Sequence, residues 1–231
     1  MERVIGLARG HWQLAGLTLL IVALWQSPVL LPLRILVVFF HELSHALATI
    51  ATGGTVVAMS INAMEGGQVT SLGGNRFLVL SAGYTGSLLI GVALVVLAVR
   101  TSLDRLTVGL LGVIMLLVAA AYLRDAFALA FTGAAGAALV LCAYALPRDV
   151  NDLILRLVGL TSMIYAPLDI ISDTITRPHL RSDARMLAEE FGGTALIWGW
   201  LWLLISLGVI VLTLRRGLGP DSNIRLPLRR G

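Results

Sequence analysis

Two histidines separated by three residues are the part of this sequence best suited to chemistry. They lie in His41-Glu42-Leu43-Ser44-His45, which has the pattern H-E-x-x-H. On a helix, residues four apart share one face, so both imidazoles can reach one zinc ion. Glu42 is then placed to accept a proton from a zinc-activated water. The pattern predicts a hydrolytic zinc site with His41 and His45 as ligands and Glu42 as general base.

The helix that must carry this motif belongs to an unusually apolar chain. Of its 231 residues, 58% are hydrophobic and 13% are charged, against roughly 25% charged residues in an ordinary soluble domain. A purely structural role for the motif would place three ionisable side chains at membrane depth, each costing about 2–3 kcal/mol to bury when charged. We therefore expect an all-α integral membrane protein with zinc chemistry inside the bilayer.

Charge and cysteine usage agree with a membrane setting. All 17 basic residues are arginines, concentrated at the ends of apolar runs and in the tail at 215–231. Anionic headgroups and the positive-inside rule favour such positions. We interpret the net charge of +4 as a membrane-surface signal and expect no nucleic-acid partner. The single cysteine, Cys142, cannot form an internal disulfide, and we expect it to be buried in a helix.

Seven apolar runs are long enough to cross a hydrocarbon core of roughly 30 Å. They cover about 14–33, 35–52, 77–99, 106–123, 126–146, 154–174 and 194–214. We expect six or seven transmembrane helices in one polytopic domain, 1–231, of which about 14–214 is membrane-embedded. Pro28, Pro32 and Arg34 divide the first two runs, which predicts either a tight turn or a kinked re-entrant segment. Counted from Arg34 as a surface marker, His41 would lie about 10 Å deep.

The arginines are compatible with more than one orientation. With seven spans, the tail and Arg100, Arg105 and Arg148 would lie inside while Arg3 and Arg9 would lie outside, against the positive-inside rule. With six spans, both ends could be cytoplasmic.

A glycine-rich stretch interrupts the apolar pattern directly after the motif. Between Gly53 and Asn75, glycine pairs bracket two segments rich in β-branched residues, Thr55–Ile61 and Gln68–Leu72. This pattern predicts a short β-hairpin insertion at 53–75. It could be a simple connecting loop, or its edge could hold an extended substrate segment by strand addition.

A catalytic zinc site usually has a third protein ligand, and the sequence offers several aspartates. Asp169 and Asp173 are four apart and share a helical face at the end of an apolar run. Asp183 comes next, although Ser182 or Asp183 could instead be the N-cap of a following helix. His11 and His179 lie outside the predicted spans.

The third predicted span contains several small residues and one tyrosine. Gly83, Gly86, Ser87 and Gly91 predict close helix packing. Tyr84 could donate a hydrogen bond to a developing oxyanion if it faced the metal, although a tyrosine near a membrane interface is a common anchor.

The run His41-Glu42-Leu43-Ser44-His45-Ala46 resembles that of the site-2 protease-type intramembrane zinc metallopeptidases. Asp-Ile-x-x-Asp at 169–173, Ser-Asp-Ala at 182–184 and the segment at 82–87 resemble a bacterial branch of that family, so the resemblance spans about 35–205. It implies His41, His45 and Asp169 as zinc ligands and Glu42 as base. Asp169 is implied because Pro-Leu-Asp at 167–169 is similar to the Pro-Leu-Asp that contains the first two residues of the family's Leu-Asp-Gly motif. Ile170 stands where that motif has glycine. Asp173 and Asp183 remain alternative ligands.

The resemblance implies an intramembrane zinc metalloendopeptidase that hydrolyses peptide bonds of membrane proteins. It also implies a multi-pass protein of the bacterial plasma membrane, with the lipid bilayer and a membrane-protein substrate as partners. Two alternatives are a non-proteolytic zinc-binding relative and a small ion or metal transporter. A transporter would favour internal repeats, and the sequence shows no convincing ones.

Overall fold

The computed structural model describes residues 2–224, with side chains from residue 9 onward. In that part of the chain, there are eight α-helices and one antiparallel hairpin. The helices are α1 (Glu2–Ala23), α2 (Leu31–Ala51), α3 (Arg76–Arg100), α4 (Asp104–Tyr122), α5 (Ala126–Ala145), α6 (Arg148–Ile171), α7 (Asp183–Phe191) and α8 (Ala195–Leu212). The strands are β1 (Thr55–Ile61) and β2 (Gly67–Leu72).

Six helical segments among the described residues are long and apolar enough to cross a membrane. This confirms the predicted fold class of a helical membrane protein with a hairpin insertion. The six are Pro28–Ala51, Arg76–Arg100, Asp104–Tyr122, Ala126–Ala145, Arg148–Thr176 and Ala195–Gly217.

The predicted run at 14–33 is not one helix, and this part of the prediction is corrected. Helix α1 ends at Ala23, and a single 3-10 turn, Pro28–Leu30, leads into α2. The Ser27 hydroxyl accepts a hydrogen bond from the Val29 amide at 3.2 Å, and Pro28 has no amide hydrogen with which to continue a helix. The break thus falls where Pro28 divides the two apolar runs.

The bundle has two ends, which we name by their relation to the H-E-x-x-H motif. At the motif end, the Asn75 amide donates to the Thr52 hydroxyl at 2.9 Å, which joins the end of α2 to the start of α3. At the far end, the Ser222 amide donates to the Gly10 carbonyl at 2.8 Å, which joins the C-terminal segment to α1. Gly10 of α1 thus lies at the far end, and the chain turns at 24–30 before α2 runs towards the motif end.

The hairpin lies against α2 and confirms the predicted strands to within one residue. Its register pairs Thr55 with Leu72 and Ile61 with Gly67, with a bulge between Val56 and Ala58. At its tip, Glu65 adopts a positive φ of 60° and its carboxylate lies 3.1 Å from the Arg34 guanidinium. Arg34 therefore pairs with the tip of the hairpin.

Small residues allow the helices to pack closely, as the sequence predicted for the third span. A Cβ added at Gly91 of α3 would lie 2.8 Å from the Gly159 carbonyl of α6. In the core of the bundle, Phe39 and Phe40, the two residues that precede the motif, are fully buried. Cys142 on α5 is half-buried rather than buried.

Candidate active site

The motif lies in the C-terminal half of α2, on a face that is covered by other helices. His41 and His45 are one helical turn apart, with ring centroids separated by 4.7 Å and ring planes at 71°. Ligand atoms of His41, Glu42 and His45 lie within 4.8 Å of one another, so these residues could hold a metal ion. The structure thus brings the three motif residues together as the spacing predicted.

Asp183 places a carboxylate directly against both imidazoles. Its Oδ2 lies 2.9 Å from Nε2 of His41 and 3.1 Å from Nε2 of His45. In a tetrahedral zinc site with bonds of about 2.0–2.1 Å, neighbouring ligand atoms are roughly 3.3 Å apart. The spacing of these three atoms therefore fits a zinc ion after small outward movements, and the donor set of two imidazoles and one carboxylate is one that zinc uses.

Asp183 is available to the histidines because its neighbour caps the helix. The Ser182 hydroxyl accepts a hydrogen bond from the Arg185 amide at 3.3 Å, so Ser182 is the N-cap of α7 and Asp183 is its first residue. Burial alone would raise the pKa of the Asp183 carboxyl, but the imidazoles of His45 and His41 outweigh it and hold this pKa below its ordinary value.

The other ring nitrogen of each histidine also faces a specific group. Nδ1 of His45 lies 2.7 Å from the Val79 carbonyl, and an N–H donated there leaves the Nε2 lone pair free for a metal. Nδ1 of His41 lies 4.0 Å from Oδ2 of Asp169. The predicted ligand Asp169 thus faces the opposite ring nitrogen of His41 from the one that faces Asp183.

Asp173, the other candidate ligand on α6, has a different partner. Its Oδ2 accepts a hydrogen bond from the Tyr84 hydroxyl at 2.7 Å. The fully buried Tyr84 ring packs edge-on against His41, with centroids 5.1 Å apart. The remaining histidines lie elsewhere: His11 bonds to Ser222 at the far end, and His179 is exposed in the segment before α7.

Two glycines provide the space that the motif side chains occupy. A Cβ added at Gly83 would contact Nε2 of His41 and would lie 2.6 Å from Nε2 of His45. A Cβ added at Gly67 would contact the Glu42 carboxylate and lie 2.8 Å from its Cδ. The sequence predicted only helix packing for Gly83, and nothing in the local pattern indicated that Gly67 of the hairpin touches Glu42.

A cavity of about 460 Å³ contains the motif and extends from it between the hairpin, α6 and α7. Its lining includes Glu42, both histidines and the carboxylates of Asp169, Asp173 and Asp183. Residues of β2 line it as well, from Gly67 to Val69 and at Ser71. The cavity therefore has room for water beside the motif.

A comparison with models of known protein families matches residues 14–213 to the family described as Peptidase M50B-like. No curated protein and no solved structure matches the chain. The family match includes the motif helix, the hairpin and the final membrane-spanning helix. Since it covers most of the 231 residues, the chain belongs to the Peptidase M50B-like family, within the site-2 proteases.

Proposed function

We propose that this protein is an intramembrane zinc endopeptidase in which His41, His45 and Asp183 hold the metal. The observation that carries the proposal is the single Asp183 oxygen within 3.1 Å of both Nε2 atoms. Burying a carboxylate costs free energy, and packing of the two histidines alone would not require one. Here the shared carboxylate comes from an element at least 138 residues away in the sequence. Asp169 is then a positioning residue for His41.

Zinc bound by these residues would polarise the scissile carbonyl and lower the pKa of a bound water toward about 7. Glu42, held between α2 and Gly67 of the hairpin, accepts the proton of the attacking water on its carboxylate. The same carboxyl group then donates that proton to the nitrogen of the leaving amine. The Val79 carbonyl fixes the His45 ring throughout this cycle.

The hairpin supports a way to hold the substrate. β2 is hydrogen-bonded to β1 along one edge, and its residues from Gly67 to Val69 line the cavity beside Glu42. An extended peptide could pair with the second edge of β2, and its carbonyl groups would then pass the motif. Such pairing would favour an unwound segment over an intact helix, whose peptide bonds are shielded by their own hydrogen bonds.

The proposal is tested with the full chain purified in detergent. We expect about one zinc ion per chain and cleavage of single-span transmembrane peptides, measured by mass spectrometry. Glu42→Gln should retain the zinc and lose cleavage, because the substitution removes the proton acceptor but no metal ligand. Wild-type cleavage by Glu42→Gln would overturn the mechanism. Bound zinc with no cleavage across a broad set of transmembrane peptides would favour the non-proteolytic alternative.

A further inference from the structure

A second cavity, of about 150 Å³, adjoins the cavity that contains the H-E-x-x-H motif. We call the larger one the motif cavity and the smaller one the side cavity. The two cavities share part of their lining, namely Glu65, Tyr165, Asp169 and Arg177. The side cavity alone is lined by Trp25, Met64, Leu168 and Ser172. It therefore extends the motif cavity past the tip of the hairpin, along α6, towards the turn between α1 and α2.

Three separate parts of the chain build the side cavity. Trp25 lies in the turn between α1 and α2, Met64 and Glu65 lie at the hairpin tip, and Tyr165 lies on α6. The Arg34 guanidinium joins the first two parts, because it donates to the Trp25 carbonyl at 2.8 Å and lies 3.1 Å from the Glu65 carboxylate. The rings of Trp25 and Tyr165 pack with centroids 6.1 Å apart. These contacts fix the positions of the walls relative to one another.

The lining of the side cavity suits an uncharged side chain. Its charged residues, Glu65, Asp169 and Arg177, each face a group of opposite charge or an imidazole at 3.1 to 4.0 Å. A charged side chain that entered the cavity would have to displace one of these partners or remain unpaired, and either costs free energy. An aromatic and an aliphatic residue, Trp25 and Leu168, supply apolar surface.

The volume of the side cavity matches that of one large side chain. A protein cavity of this size with an apolar lining can hold a benzene molecule. An incoming aromatic ring would meet the rings of Trp25 and Tyr165, and aromatic pairs are favourable with centroids about 4.5–7 Å apart. An alanine side chain would leave most of the volume unfilled.

The side cavity also has a defined place along β2, the strand proposed to hold the substrate. Gly67 of β2 lies against the Glu42 carboxylate, and Glu65, two residues nearer the hairpin tip, lines both cavities. An extended peptide rises about 3.3 Å per residue, so a substrate residue beside Glu65 is about two residues from the one beside Gly67. Side chains two residues apart in a strand also point to the same face.

We propose that the side cavity receives a substrate side chain about two residues from the scissile bond, and that it selects a large uncharged residue, preferring an aromatic ring to alanine. The proposal rests on the proposed peptidase function, because it concerns the substrate of that same site. Leu168 is the specificity-determining residue. It lines the side cavity but not the motif cavity, and it is 41% exposed, so its replacement disturbs little of the core.

The preference between two reporter substrates tests this role of Leu168. Single-span peptides carry Phe or Ala at successive positions on either side of the bond that the wild-type protein cleaves. At one position, kcat/KM should favour Phe at least about tenfold, since even one methylene in an apolar pocket changes kcat/KM by about 10-fold to 200-fold. Leu168→Trp should abolish this preference by filling the cavity, and Leu168→Ala should raise kcat/KM for a Trp reporter about tenfold.

Ile175→Trp is the matched control. Ile175 is exposed near the end of the same membrane-spanning segment, Arg148–Thr176, and lines neither cavity, so the control should keep the wild-type preference for Phe. A preference that Leu168→Trp leaves unchanged would overturn the proposal, as would a wild-type protein with no preference at any position. If Leu168→Trp does not fold, Leu168→Ala decides, and no gain for the Trp reporter would overturn it. In each case the observed cleavage leaves the peptidase proposal standing.

A second measurement does not require cleavage. The Glu42→Gln protein is irradiated with the same peptides carrying a diazirine analogue of leucine at each position in turn, and mass spectrometry identifies the crosslinked residues. One position should crosslink to Trp25, Met64 or Leu168. Crosslinks that never reach these three residues would overturn the proposal, even if the wild-type protein cleaves the peptides. Crosslinks at these residues without cleavage by the wild-type protein would support the side cavity and contradict the peptidase proposal.

Discussion

Gly83→Ala is expected to weaken zinc binding through one misplaced methyl group. The added Cβ would lie 2.6 Å from Nε2 of His45, whereas few real Cβ contacts are shorter than 3.4 Å. Since the contact with Nε2 of His41 is tighter still, the imidazoles or helix α3 must move by at least about 0.8 Å, and overpacking of this kind costs about 1–3 kcal/mol. If that cost falls on the bound geometry, the zinc dissociation constant rises about 5-fold to 150-fold, since 1.4 kcal/mol corresponds to a factor of ten.

The assay is a competition titration of the purified protein against a fluorescent zinc chelator. Gly91→Ala is the matched control, because it lies two turns further along α3 and its Cβ would crowd Ser162 at 2.7 Å, away from the histidines. We expect Gly91→Ala to lower resistance to unfolding in detergent but to bind zinc with near wild-type affinity. Unchanged zinc affinity in Gly83→Ala would refute the placement of the metal between Gly83 and the two Nε2 atoms.

Two further substitutions separate catalysis from metal binding. Gly67→Ala should reduce the rate of peptide cleavage at least tenfold while the zinc content stays at the wild-type level. The reason is that the added Cβ would displace the Glu42 carboxylate without touching the proposed ligands. A normal cleavage rate would show that Glu42 does not act from this position. Tyr84→Phe keeps the ring against His41 but removes the hydrogen bond to Asp173. It should raise the zinc dissociation constant by less than tenfold, and a complete loss of zinc would contradict the placement of the Tyr84–Asp173 pair outside the ligand set.

The sequence predicts the features of this protein that depend on local spacing. The H-E-x-x-H motif requires only a helix to bring His41, Glu42 and His45 together. The hairpin follows from glycine pairs that flank β-branched segments. The helix break at 24–30 could be located from Pro28, which has no amide hydrogen with which to continue a helix.

The partners of the motif could not be predicted in the same way, because they come from distant parts of the chain. Asp183 lies 142 residues from His41, and its position depends on the path of the chain after α6. The sequence could name Asp183 only as one of three candidate ligands, because the neighbouring Ser182 offered a local explanation of the same pattern as a helix N-cap. The resemblance to the family implied Asp169, which the structure places at Nδ1 of His41 and 4.0 Å away.

The zinc dissociation constants of Asp183→Ala and Asp169→Ala, measured side by side, test the account most directly. Loss of a positioning carboxylate typically weakens metal binding by about 10-fold to 100-fold, so we expect a change of that size or smaller for Asp169→Ala. Asp183→Ala should lose more affinity than this, since it removes a proposed ligand. If Asp169→Ala loses zinc while Asp183→Ala keeps it, the proposed ligand set is wrong.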